Sequence, residues 1–178
     1  ATWRGRAPRS HIRYQDAFDL LKVVITEYNI EGNPIPKFID LVLQVKPTQV
    51  TLVPDAEDAI TSNAGWDTVK HKSFLTEVVT EFKRNGIRTS LFVDPVEAMV
   101  TAAATTGADR VELYTERYAR EYARGDKTQI APYIKAALEA QKVGLGLNAG
   151  HDLSLDNVKY FKDNIPNLSE VSIGHALI

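Results

Sequence analysis

The sequence predicts an α/β fold: an incomplete TIM (β/α)8 barrel with about six βα strands present, its first strand region and last helix missing or altered. Three observations lead there. Six short strand-like runs alternate with helical ones, the order of βα units around a parallel sheet. Polar residues gather where nearly every strand ends: Glu31, Pro54-Asp55, Asp94, Glu112 to Glu116, Asn148 to His151 and Gly174-His175. A barrel builds its site on that single rim, whereas an open doubly wound sheet concentrates ligands at one switch point. Last, the chain has 178 residues, below the roughly 200 or more of such barrels. Counted against eight strands, it looks short by two strands at the front and one helix at the back.

The elements follow in order. Residues 1–9 carry no period and form an atypical N-terminal segment of what is otherwise one partial barrel domain, 1–178. From His11 to about Glu27, apolar residues recur at helical spacing. "YNIE" (28–31) is a strand, and Pro36 opens a helix that Pro47 stops. "QVTLVP" (49–54) is a strand rich in β-branched and apolar residues, followed by the polar loop "DAEDAITSNAGWD". An amphipathic helix through Phe74, Leu75, Val78, Val79 and Phe82 ends at Gly86, a left-handed cap. "IRTSLFV" (87–93) is a strand. Asp94 then serves as N-cap, Pro95 takes the first helical position, and Gly107 closes the helix. "DRVELYT" (109–115) is a strand, followed by a charged loop and a helix from about Thr128 to Val143. "LGLN" (145–148) is a strand, and "AGHDLS" turns into a helix capped by Asp152 or Ser154. "EVSIGH" (170–175) is the last strand.

Composition excludes several functions. The formal charge of −2 offers no field for nucleic acid or an anionic membrane. With no cysteine there is no disulfide, thiolate metal site or cysteine nucleophile, which suits a cytoplasmic enzyme. No apolar run approaches the roughly 20 residues that span a bilayer. The start lacks both a secretory pattern and an initiator methionine, so the chain is expected to be incomplete there.

The candidate residues sit on the rim. In "NAGHDLS" (148–154), Ala149-Gly150 allow a tight turn whose backbone N–H groups suit a phosphate, and His151 offers an imidazole that exchanges protons near neutral pH. The competing reading is a capped connection with a surface histidine. "SIGHAL" (172–177) repeats the arrangement one unit later, at Gly174-His175, where barrels often share a phosphate site between their last loops. Against that stands simple close packing at Gly174. Glu112 lies inside an apolar strand, where an unpaired carboxylate is costly and burial raises its pKa toward a general-base value. Glu31 ends its strand and is equally readable as solvated. Thr61 and Ser62 offer hydroxyls on a long loop, Trp66 reads as a hydrophobic plug, and His71 as a solvated helix residue. No lysine ends a strand, which argues against Schiff-base chemistry. No nucleotide-binding glycine pattern occurs. The His and Glu residues could in principle bind a divalent metal, but they are scattered singly without the close spacing of metal ligands, so that signal is weak.

Together, "YNIEG", "TLVPD…TSNAGWD", "IRTSLFVD", "ADRVELYTERYA", "NAGHDLS" and "VSIGHALI" resemble the pyridoxine 5′-phosphate synthase family of the deoxyxylulose-dependent vitamin B6 pathway, in order from about His11 to the last residue. The resemblance implies a barrel that condenses 3-amino-2-oxopropyl phosphate with 1-deoxy-D-xylulose 5-phosphate, giving pyridoxine 5′-phosphate, phosphate and water without a cofactor. It implies small phosphorylated partners, inorganic phosphate and a homo-oligomer. By position, Glu31 matches the general base, His151 the proton donor and Glu112 a carboxylate stabilising the transition state. Arg6, His11, Thr61, Asp152, Gly174 and His175 match substrate contacts. One departure stands out: "TWRGR" puts Arg4 where the family carries another catalytic histidine. The family's first strand, with its substrate contacts, and its final helix are also missing, so the 178 residues alone are expected to be inactive. Two other readings remain at this point. One is a metal-dependent phosphosugar epimerase or isomerase using Glu31, Glu112, His151 and His175 as ligands. The other is a non-catalytic, self-associating fragment.

Overall fold

The structure is a computed structural model that describes residues 2–4, 14–55 and 64–174, with only the backbone described for 2–4. Its centre is one seven-stranded, all-parallel sheet: β1 (Thr2–Arg4), β2 (Asn29–Gly32), β3 (Gln49–Leu52), β4 (Arg88–Val93), β5 (Arg110–Tyr114), β6 (Gly146–Gly150) and β7 (Leu168–Ser172). Each strand pairs with its successor in sequence, so strand order never reverses. A doubly wound sheet must reverse it at a switch point. Continuous order with a helix in every connection is the winding of a barrel, and it decides between the two architectures that the alternation alone allowed. The six expected strands are all present, and Thr2–Arg4, from the segment without a period, adds a seventh.

The helices are α1 (Tyr14–Leu21), α2 (Pro36–Val45), α3 (Lys72–Arg84), α4 (Glu97–Ala104), α5 (Glu116–Ala123), α6 (Ala131–Lys142, entered through a 3-10 turn at Lys127–Ile130) and α7 (Val158–Asn164). Several stop signals act as the sequence predicts. Pro36 opens α2, and Lys46 closes it in the left-handed region ahead of Pro47. Gly86 and Gly107 have φ of 75° and 85°, which lets the chain leave α3 and α4 without a Cβ penalty.

Three local expectations are corrected. Asp94 does not cap α4: the helix starts two residues after Pro95, and the Asp94 carboxylate instead accepts from the Gly65 N–H at 3.2 Å. That contact fastens the loop before Trp66 to the end of β4. Neither Asp152 nor Ser154 caps α7, whose N-cap is Asn157. The charged stretch after β5 is no loop but helix α5, in which Glu116 and Arg120 pair along the exposed face while Tyr118 and Ala119 face inward.

The apolar core lies on one side of the sheet. Ile30, Val50, Leu52, Leu91, Val93, Val111, Leu113, Leu147 and Ala149 alternate along their strands and pack outward against helix residues such as Leu41, Leu75, Phe82, Val100, Ala136 and Phe161. Small side chains at Ala103, Ala136, Ala137 and Ala140 accompany the direct contact of α4 with α6. Trp66 is the plug it was expected to be, 7% exposed, with its indole N–H donating to the Leu52 carbonyl at 3.0 Å.

Candidate active site

The same alternation sends the intervening residues to the concave face. The ladder aligns Glu31, Thr51, Ser90 and Arg110 in one row, and Phe92, Glu112, Asn148 and Glu170 in the next. A slip in pairing after Leu147 brings Glu170, not its predecessor, opposite Asn148. The concave face is thus mostly polar, unlike the branched apolar layers that usually fill such a barrel. Curling of the sheet is visible in one bond: the Thr51 hydroxyl on β3 reaches across β4 to Glu112 Oε2 on β5, at 3.4 Å.

Both predicted carboxylates are buried, Glu31 to 3% and Glu112 to 1% exposure. Glu31 is therefore not the solvated strand end that its position also allowed. Thr51, fully buried, pairs with Glu31 in register and lies 3.2 Å from Asn29 Oδ1 as well as near Glu112. Arg110 anchors the next part of the face, its Nη1 donating to Asn148 Oδ1 at 3.1 Å and to Glu170 Oε2 at 3.2 Å. At the opposite, N-terminal end of the strands, Arg88 pairs with Glu27 and donates to Gln49 Oε1 at 2.8 Å. The Arg88 hydrogen bond holds the Glu27 carboxyl below its ordinary range and raises the guanidinium.

His151 and Asp152 carry the turn after β6, with φ of 87° and 59°. The left-handed region is strained for side chains of this kind, and such strain persists only where surrounding contacts enforce it. Here they do. The buried Thr115 hydroxyl stands 2.7 Å from the Gly150 carbonyl and 2.5 Å from that of His151, with one proton to give to either, and the Thr115 N–H also donates to the Gly150 carbonyl at 3.0 Å. Asn157 donates to the Asp152 carbonyl and accepts from the Ser154 N–H, and the Tyr118 hydroxyl donates to the Asn157 carbonyl at 2.8 Å. The imidazole packs edge-on against the Tyr114 ring, centroids 5.0 Å apart, and lies 3.8 Å from Asp152 Oδ2. Burial first, then the carboxylates of Glu116, Asp152, Asp94 and Asp55, push the Tyr114 phenol up.

Gly150 has a purpose other than the turn expected of it. Its φ is ordinary, and the turn is made by the two residues after it. A Cβ there would stand 2.3 Å from Glu112 Oε1 and 3.0 Å from Ser172 Cβ. The glycine gives room to the carboxylate. Gly174 follows β7, and among the described residues a Cβ on it would meet nothing within 4 Å. His71 begins α3 against the edge of Trp66, 5.4 Å between centroids. Arg6, His11, Thr61 and His175, all expected at the site, lie outside the described residues, as does Ser62. Arg4 pairs with Glu31 along the backbone of β1 and β2, which puts the departing position beside the expected base. Among the described residues, no three His, Cys, Asp or Glu side chains are gathered as a metal's donor set. Among them also, no helix is long and apolar enough to cross a membrane.

Sequence reasoning missed Asn29, Thr51, Arg110, Tyr114, Thr115 and Asn157. The signal for the first three was available. Strands of a parallel sheet normally read as continuous apolar runs, yet "YNIEG", "QVTL" and "RVELY" alternate, and a buried alternating strand implies a polar inner face.

A curled parallel βα sheet with buried carboxylates on its concave face and an imidazole on its C-terminal rim defines a TIM-type barrel protein, here in incomplete form. Solved structures support the class through fold alone. An HpcH/HpaI aldolase/citrate lyase family protein from Burkholderia cenocepacia superposes with a TM-score of 0.57 at 12% identity, covering 96% of this chain and 77% of that one. The PaMucR phosphodiesterase in complex with c-di-GMP gives the same score at 10% identity, over 88% and 64%. The particular family follows from sequence. The model for pyridoxal phosphate biosynthesis protein PdxJ matches residues 1–178, and the chain belongs to that family. Similar relatives are the pyridoxine 5′-phosphate synthases of Flavobacterium johnsoniae, 65% identical, and Cytophaga hutchinsonii, 64% identical, each over 177 residues. The matches cover 99% of this chain and 75% and 74% of those proteins.

Proposed function

We propose that the chain serves the ring-closing condensation of 3-amino-2-oxopropyl phosphate with 1-deoxy-D-xylulose 5-phosphate, yielding pyridoxine 5′-phosphate, phosphate and water. The observation that carries this reading is the pair of buried carboxylates, Glu31 and Glu112, on one concave face below a rim that carries His151, in a chain of this family. The reaction joins an amine to a ketone as an imine, expels phosphate and water, and closes the ring by an aldol-type step. Each stage moves a proton, and a positioned acid or base contributes about 10²- to 10⁴-fold to such a step. Glu31 acts as base, His151 returns protons to leaving oxygens, and Glu112 stabilises the cationic character that develops on nitrogen. Asp152 and Gly174 stand where the amino-ketone phosphate binds, with backbone N–H groups as donors. Arg6, His11, Thr61 and His175 complete the contacts to the two phosphorylated substrates. A homo-oligomer in the cytoplasm is part of the same proposal.

The test is phosphate release and product formation from the two substrates, compared between the chain and its Arg4→His variant. Turnover is expected to be low in the first and at least tenfold higher in the second, because Arg4 stands in the position of a proton-transferring histidine. Glu31→Gln and His151→Asn in the Arg4→His background should each remove it. Absence of product from both chains, each shown to be folded by a cooperative melt, overturns the proposal.

A further inference from the structure

Thr51 lies between the two carboxylates. Across β2 and β3 it pairs with Glu31, and its hydroxyl stands 3.4 Å from Glu112 Oε2 and 3.2 Å from the Asn29 amide. A hydroxyl carries one proton and cannot donate to two oxygens at once. With Asn29 Oδ1 turned toward it and Glu112 ionised, one of the two contacts sets acceptor against acceptor, while Asn29 Nδ2 is buried without a partner among the described residues. Oxygen and nitrogen of an amide are alike in shape, and the hydrogen-bond network decides which is which. Turned over, Asn29 donates through Nδ2 to Thr51, and the Thr51 proton becomes available to Glu112. Gln49, the register partner of Asn29, likewise has its Nε2 buried without a partner among the described residues.

We propose that Asn29 and Thr51 form a one-way donor chain that positions Glu112, with Asn29 donating to Thr51 and Thr51 donating to Oε2. The direction is fixed at its end, because an ionised carboxylate only accepts. A hydrogen bond to the charged form favours that form, so the chain holds Glu112 ionised in a buried place that would otherwise disfavour it. It also distinguishes the two oxygens. Oε2 is tied to β3, whereas Oε1 lies over Gly150, next to the His151 turn. Among the described residues, other ionisable groups of the concave face are Glu31 on β2, Arg88 on β4, Arg110 and Tyr114 on the strand of Glu112 itself, and Glu170 on β7, with His151 at the rim. None of them is altered by changing Thr51, so a shift caused by that change reports the donor chain. The inference rests on the proposed role of Glu112 for its catalytic meaning, though not for its physical content.

The experiment separates the two. In ligand-free protein with ¹³C-labelled glutamate carboxyls, the Glu112 signal is identified by its loss in Glu112→Gln and titrated by NMR. Thr51→Val is expected to move the Glu112 titration up by about one pH unit, and Thr51→Ser to leave it within a few tenths. Asn29→Leu, which keeps the hydroxyl and removes its donor, should move it in the same direction by less. In kinetics, Thr51→Val should lower kcat about tenfold with KM within twofold, and Thr51→Ser should restore it. An unmoved Glu112 titration in folded Thr51→Val, or in Asn29→Leu should the valine variant not fold, overturns the donor chain. So does a serine variant that behaves like valine, because that would make the role one of shape. If no turnover is seen in any chain, the proposed reaction falls while the titration still decides the donor chain.

Discussion

At the scale of residues, the site is defined by side chains that are ordinary one at a time. Gly150 is the sharpest case, because a methyl group there would meet Glu112 Oε1 at 2.3 Å, well inside contact distance. Gly150→Ala is expected to push the carboxylate off its place, costing about 1–3 kcal/mol of stability as an overpacked site does. Turnover should fall about a hundredfold, since a displacement near 1 Å has that effect on positioned groups. Chemical denaturation and steady-state kinetics check the two parts. Thr115 makes a comparable claim, placing its hydroxyl within reach of two successive carbonyls at the strained His151 turn. Thr115→Val should cost about 1 kcal/mol by removing that donor, read as a lower urea midpoint. Glu112 and His151 were legible in the sequence because a carboxylate inside an apolar strand and an imidazole beside a glycine are conspicuous. Strand alternation could have put Asn29 and Thr51 on an inner face but gave them no partners, and it said nothing of Thr115, because the contacts that define them lie 22, 61 and 35 residues away along the chain.

At the scale of elements, strands and most helices could be read from period and punctuation, and the failures share a cause. "ERYAREYA" looks like a loop because half of it is charged, yet its charges pair along one face while Tyr118 and Ala119 bury the other. Composition hid the period. The two misplaced caps, at Asp94 and at Asp152 or Ser154, fail for another reason. A short polar side chain is drawn to whichever N–H is unsatisfied, and Asp94 found one in the neighbouring loop at Gly65. Helix α5 also supports the site from beneath, through the Tyr118 hydroxyl on the Asn157 carbonyl. Tyr118→Phe keeps the ring stack with Phe161, centroids 4.9 Å apart, and deletes only that bond. It should lower stability by about 1 kcal/mol and speed amide exchange in residues 152–157, measured by mass spectrometry, with α2 and α3 unaffected.

At the scale of the whole molecule, the barrel winding was legible because polar residues mark the end of nearly every strand, and that mark needs no knowledge of strand pairing. Burial of tyrosines adds a property of the fold as a whole. Tyr28 and Tyr133 are pushed up to about 12 by desolvation, and Tyr118 higher still for the same first reason. Below pH 10, folded and unfolded chains both keep these protons, and stability is unaffected. Above it the unfolded chain ionises first, near the ordinary tyrosine value of about 10, so it binds fewer protons than the folded one and stability falls as pH rises. The loss should run from about pH 10 to 12, and an ultraviolet titration should show four of the seven tyrosines, Tyr114 among them, lagging the rest until the chain unfolds. The polar concave face has a wider consequence. Since the apolar core is confined to the outer side of the sheet, neighbouring positions on one strand answer to different demands. A saturation scan along β3, β4 and β5 should separate into two interleaved series with a period of two. Apolar substitutions at Val50, Leu91 and Val111 would mainly move the melting temperature, and near-isosteric ones at Thr51, Ser90 and Glu112 would mainly move turnover. In such a strand, durability and chemistry are written largely on alternate letters.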